Sequence, residues 1–232
     1  MTNIKELYSD SVQFSYESSQ QLLTGAYLRC PVGEVVGLLG RNGCGKSTFL
    51  KILFGVLKAK NSYILINNKK TEKAYLTNKI GYLPQDSFLP THEKVDYLIR
   101  LLIKDQQVRN ILSYDARIKT ISDKKIYQLS GGELRYLEIC LLMHQPTDFV
   151  LLDEPFTGLE PLYMEQIATL ILRFKTKKGI VLSDHNYQNV LDIATQILLL
   201  HNGTCRLIKN KKELEFFYAP EGIFDQQGPF SD

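Results

Sequence analysis

One nine-residue segment, 40-GRNGCGKST-48, restricts the possible folds more than anything else in this chain. An apolar run, "EVVGLLG" (34–40), leads into it, and an amphipathic run, "TFLKILFGVL" (48–57), leads out. A glycine-rich turn between a buried strand and a helix bares a row of backbone N–H groups at the positive end of that helix, where they close around a phosphate. The pattern places Lys46 on the β- and γ-oxygens and the Ser47 hydroxyl on Mg²⁺. Gly40, Asn42, Gly43, Cys44, Gly45 and Thr48 complete the candidate cradle. Such a loop needs a strand and a helix in fixed register, so the chain is expected to be an α/β protein.

The rest of the sequence agrees with that. "DFVLLDEP" (148–155) and "GIVLSDHN" (179–186) read as two further short buried strands, each ending in a polar turn. In open parallel sheets ligands gather at those carboxyl ends. "SVQFSYES" and "SYILINNKK" alternate more weakly and suggest a small antiparallel β subdomain. Between Gln85 and Ser130 strand signals vanish. "EKVDYLIRLLIKDQQVRNIL" (93–112) reads as a helix carrying Val95, Leu98, Leu101 and Leu102. The expected organisation is one domain, with a core at 1–85 and 129–218, a helical subdomain inserted over about 86–128, and a tail from about 219 to 232.

Asp153 and Glu154 arrive together at the end of a buried strand. An acidic pair before proline is often only a turn. Beside a phosphate loop, Asp153 suits Mg²⁺ coordination through water, and Glu154 suits orienting or deprotonating the attacking water. Gln85 and His185 also follow strands, and Tyr16 lies on one, but on residue type alone each is unremarkable. Cys44, two residues before Lys46 at a helix N-terminus, is expected to carry a depressed thiol pKa and to react readily.

A second glycine-rich stretch, 130-SGGE-133, opens another helix, "LRYLEICLLMH", with Leu134, Leu137 and Leu141 on one face. Ser130 and Glu133 have the spacing of a capping box. A cap does not need Gly131 and Gly132, which weaken a helix. Two glycines at a helix N-terminus leave amides uncovered for an anion, so a cap and a second phosphate contact are both open readings.

The ordered set "GRNGCGKST", "LPQ", "LSGGE", "LLDEP" and "SDH" resembles the ATP-binding cassette ATPases, from about Tyr16 to about Gly203. The resemblance implies a P-loop NTPase core with a mostly parallel sheet, a small antiparallel β subdomain and an inserted helical subdomain. It also implies ATP and Mg²⁺ as ligands. Tyr16 would stack on adenine, and Gln85 would touch Mg²⁺ and a transmembrane partner. Glu154, His185 and Lys46 would be catalytic, with Ser47, Gln85 and Asp153 around the metal. Ser130, Gly131 and Gly132 of one subunit would close over ATP held by a second cassette subunit. Three positions depart from the pattern: Glu133 stands where glutamine is commoner, Glu160 where aspartate is usual, and Cys44 where another small residue is commoner in the phosphate loop.

Three functions fit such a cassette: the energising subunit of a membrane transporter, a soluble ATPase acting on nucleic acid or ribosomes, or a binding module without turnover. Only about 45 residues separate Gln85 from Ser130, too few for the long arms of the second class. A net charge of +3, with basic residues scattered as pairs such as Lys69-Lys70 and Lys124-Lys125, gives no concentrated basic stripe, and no nucleic-acid partner is expected. The presence of Glu154 and His185 disfavours the third. Four cysteines with no C-x-x-C pair, and no apolar run near the roughly 18 residues that span a bilayer, fit a cytoplasmic chain peripheral to the inner face of the membrane. It would attach there through separate permease subunits. "LSGGELRYLEI" and "SDHNYQNVLDIATQILLL" resemble cassettes of export or lipid-related systems.

Overall fold

The computed structural model describes residues 4–17, 21–185, 187–210 and 213–214. Its centre is a six-stranded sheet. β3 (Val35–Leu39), β6 (Ile80–Leu83), β7 (Phe149–Asp153), β8 (Gly179–Ser183) and β9 (Gln196–His201) run parallel, and β10 (Thr204–Ile208) closes one edge antiparallel, in the order β10-β9-β3-β8-β7-β6. Every residue of β3, β7 and β8 is buried. Parallel strands covered on both faces read as continuous apolar runs, which is why these three were legible.

Alternate residues of those strands feed different cores. Val36, Leu38, Phe149, Leu151 and Val181 pack with α1 (Lys46–Phe54) and with an antiparallel sheet. That second sheet comprises β1 (Glu6–Phe14), β2 (Leu23–Pro31), β4 (Asn61–Ile66) and β5 (Lys69–Lys70), in the order β2-β1-β4-β5. Val35, Leu39, Val150, Leu152, Ile180 and Leu182 pack instead with α5 (Gly131–His144), α6 (Pro161–Phe174) and α7 (Tyr187–Ile193). The strand β2 had no clear signal in the sequence; Gly25 and Pro31 break its run.

The insertion differs from expectation. The single helix read over 93–112 is two, α2 (Val95–Leu102) and α3 (Gln106–Tyr114), followed by α4 (Ala116–Ile121). Ile103 turns to extended backbone, and the Asp105 carboxylate accepts the Gln107 N–H at 2.7 Å to start α3 afresh. A good N-cap competes locally with helix continuation. Val95 and Leu98 are buried as expected, but Leu101 is 47% exposed. The tail expected over 219–232 lies outside the described residues.

Candidate functional site

Gly45 holds φ +107 at the start of α1, a left-handed conformation that opens the turn toward the helix amides. Lys46, only 5% exposed, donates to the carbonyls of Gly40 (2.8 Å) and Arg41 (3.3 Å), so its ammonium is already folded over the loop. Ser47, half-buried near the carboxyl end of β7, donates its hydroxyl to Asp153 Oδ1 at 2.9 Å, and Gln85 Nε2 lies 3.4 Å from Ser47 Oγ. Ser47, Asp153 and Gln85 therefore meet in space, although some forty to seventy residues separate each from the next in sequence. A hydroxyl, a carboxylate and an amide supply hard oxygens of the kind Mg²⁺ takes, with phosphate and water to fill its octahedron.

Two residues that the sequence reading missed hold Asp153 in place. Ser183 Oγ donates to Oδ1 at 2.9 Å, and Tyr82 OH to Oδ2 at 3.1 Å. Burial, and then Asp153 itself, push the Tyr82 phenol well above its ordinary value, so it stays a donor. Neither carried a sequence signal: Tyr82 is one more aromatic on a strand, and Ser183 one more small residue before a turn.

Glu154 has φ +50, rare for a side chain with a Cβ, and its N–H donates to Ser183 O at 2.8 Å. Strained backbone of this kind gathers at functional positions. Its carboxylate accepts the Thr157 hydroxyl at 3.2 Å, and His185 Nδ1 lies 3.7 Å from the same oxygen and 3.3 Å from Thr157 Oγ1. Tyr16 is 53% exposed, with its ring edge-on to Phe14 and its hydroxyl 3.1 Å from Thr48 Oγ1. An open cleft of about 700 Å³ is lined by Tyr16, Asn42, Gly43, Gly45, Lys46, Ser47, Thr48, Gln85, Glu154 and His185, together with Leu22.

Cys44 does not behave as expected. Burial pushes its thiol up and outweighs the nearby Lys46, the opposite of the depression expected. Its sulfur packs behind the loop, 2.6 Å from where a Cβ on Gly40 would lie.

Ser130, Gly131 and Gly132 do not line this cleft. The capping box is complete: Ser130 Oγ accepts the Glu133 N–H at 3.2 Å, and Glu133 Oε2 accepts the Ser130 N–H at 2.8 Å. Partial burial would raise the Glu133 carboxyl, but the Lys124 ammonium at 2.9 Å and the Ser130 amide hold it below its usual value. A Cβ on Gly132 would lie 2.3 Å from Tyr163 Cδ2, whereas one on Gly131 would meet nothing within 4 Å. Packing accounts for one glycine and leaves the other open.

The sheet order, the loop and the carboxylates at the strand ends define a P-loop nucleoside triphosphatase. The chain belongs to the ABC transporter family, whose model matches residues 23–157, and it is an ATP-binding ATPase. It is 30% identical over 184 residues to a lipopolysaccharide export system ATP-binding protein from Acidithiobacillus ferridurans, covering 74% of this chain and 76% of that one. To an ABC transporter ATP-binding protein from Methanocaldococcus jannaschii it is 32% identical over 181 residues, covering 74% of this chain but 65% of the longer relative. A solved dimeric ATP-binding cassette, in a post-hydrolysis state with ADP and Pi, has the same fold. Its TM-score is 0.76 at 24% identity, covering 88% of this chain and 98% of that one.

Proposed function

We propose that the chain energises a membrane transporter by ATP-driven closure of a cassette dimer. Each nucleotide would be held by Lys46 and its loop on one subunit and covered by Ser130, Gly131 and Gly132 of the other. The observation that carries this reading is that the exposed N-terminus of α5, open around Gly131, is not among the residues that line the phosphate cleft of its own chain. An anion contact there has to be made with a nucleotide held elsewhere. A solved cassette of the same fold is dimeric and bound to ADP and Pi, which supports a dimer here.

Within one half-site the geometry supports these roles. Lys46 exchanges the Gly40 and Arg41 carbonyls for phosphate oxygens, with Asn42, Gly43, Cys44 and Gly45 giving backbone amides. Tyr16 offers a ring face to adenine, and Thr48 fixes its hydroxyl. Mg²⁺, when bound, neutralises charge on the β- and γ-oxygens, and Ser47, Asp153 and Gln85 would hold it. Glu154 takes a proton from the attacking water. His185, tied to it through Thr157, would contact the γ-phosphate. Segment 86–128 is read as the helical subdomain, set between two parts of the core, and Gln85 as its link to permease subunits. Among the described residues no helix is long and apolar enough to cross a membrane. The chain would sit at the inner face of the membrane through those subunits. Similarity to a lipopolysaccharide export subunit favours an exported or lipid-related cargo.

The experiment is Glu154→Gln in the full chain. ATP binding is expected to persist while turnover falls on the order of 10²–10⁴-fold, as when a general base is lost. Near-normal turnover would refute the base assignment. Copurification with ribosomes or nucleic acid in place of a membrane protein would refute transport.

A further inference from the structure

Among the described residues Arg135 is the most heavily hydrogen-bonded side chain outside the cleft, and the family-level roles above do not use it. It sits in the second turn of α5, only 8% exposed. Nη1 donates to Pro84 O at 2.8 Å and to Glu138 Oε2 at 3.3 Å. Nη2 donates to Gln85 O (3.1 Å), Asp153 O (3.3 Å) and Glu154 O (3.2 Å). Glu138, 1% exposed, takes the Phe88 N–H at 3.1 Å on its other oxygen. One guanidinium thus grips the backbone of the glutamine loop and of the acidic strand end together.

We infer that Arg135 is a positioning residue for hydrolysis, fastening the helix that carries Ser130 to the Gln85 and Glu154 backbones of the same chain. The inference rests on the reading of Glu154 as general base. Three features carry it. First, a buried ion pair is weak as a source of stability, whereas a planar fork with several fixed donors is well suited to setting geometry. Second, the Glu154 peptide is held at both ends, its N–H by Ser183 O and its carbonyl by Arg135, and this backbone has φ +50. The direction of the carboxylate follows from that grip. Third, α5 is unbroken from Gly131 to His144, so a displacement at its N-terminus reaches Arg135 through a rigid element. Whatever touches Ser130 from another subunit is thereby felt at Gln85 and Glu154 of the same chain. Lysine at this position would bring three donors on a single nitrogen in place of the planar fork, and methionine none.

Arg135→Lys and Arg135→Met in the full chain test this, through single-turnover hydrolysis, affinity for a fluorescent ATP analogue, and thermal melting. Arg135→Lys is expected to slow hydrolysis by roughly 10–100-fold, the scale of an ångström-level misplacement, with affinity unchanged. Arg135→Met should be slower still. In a Glu154→Gln background Arg135→Lys should add no further loss, because both changes act on one step. Losses that multiply in the double variant overturn the inference, as does a parallel decline of affinity, rate and melting temperature. If Glu154→Gln alone turns over normally, the general-base reading fails and the inference falls with it. Multiplying losses in a slow Glu154→Gln background remove only the inference. Should neither Arg135 variant fold, Glu138→Gln decides. It keeps an acceptor for the Phe88 amide and weakens the hold on Arg135. Reduced turnover at unchanged affinity supports the fastening, and unchanged turnover overturns it.

Discussion

Gly131 and Gly132 are neighbours with different reasons to lack a side chain. Alanine at 132 meets the Tyr163 ring at 2.3 Å, and that ring packs against the α6–α7 core. Gly132→Ala is expected to lower stability by about 1–3 kcal/mol, the usual scale of overpacking, seen as a reduced melting temperature. Alanine at 131 meets nothing within 4 Å and improves a helix, so Gly131→Ala should melt no lower than the parent. If α5 caps a nucleotide on another chain, the same variant should lose turnover while still binding ATP, and retained turnover counts against the cap. Cys44 gives the opposite lesson. Proximity to Lys46 and to a helix N-terminus suggests a thiolate, but burial dominates and pushes the thiol up. A maleimide near pH 7 should therefore leave hydrolysis largely intact, and Cys44→Ala should hydrolyse like the parent. Rapid inactivation with labelling at Cys44 would show that the loop opens enough to expose it.

At the scale of elements, the ends decide what was legible. α5 announced its start through Ser130 and Glu133, but its end is made by a residue far along the chain. Lys178, 4% exposed, donates to Gln145 O (2.8 Å), Thr147 O (2.6 Å) and Thr147 Oγ1 (3.0 Å) just past the last turn. In the sequence it is one of a Lys177-Lys178 pair, with nothing to mark it as buried. Burial pulls its ammonium down to about 8, with Asp148 opposing. The sign follows from proton counting. Between about 8 and the ordinary lysine value the folded chain holds fewer protons than the unfolded one, so this group makes stability rise with pH across that window. Urea midpoints of the parent should gain on those of Lys178→Met between pH 8 and 10; parallel curves would mean that Lys178 keeps an ordinary pKa. Lys178→Met should also be less stable near neutrality, because buried acceptors lose their donor, at about 1–3 kcal/mol for such a group. The break between α2 and α3 escaped notice because apolar spacing continues across it, and Asp105 declares itself a cap only once the backbone turns.

For the whole molecule, the residues of the phosphate loop and the acidic strand were readable because their chemistry needs particular residue types at fixed spacing. Tyr82, Ser183, Thr157 and Arg135 were not, since each works through a partner distant in sequence and has an ordinary type. A dimer with shared sites makes a prediction at this scale. Lys46→Ala and Ser130→Arg should each be inactive. Mixed in equal amounts, they form some dimers with one site free of both lesions, and ATPase activity or nucleotide trapping should return in part. No return, with crosslinking proof of mixed dimers, would restrict 130-SGGE-133 to helix capping. The division of the central sheet into two cores also limits how this chain can change its length. In β7 the odd positions Phe149 and Leu151 belong to the α1 side and the even positions Val150 and Leu152 to the α5 side. The same parity brings Asp153 round to Ser47. Swapping one aliphatic residue for another disturbs only local packing. Deleting a single codon within 149–152 would turn every later side chain of the strand to the wrong face and carry the carboxylate away from the loop. The strand can drift in composition but is locked in length, and insertions or deletions are confined to the turns.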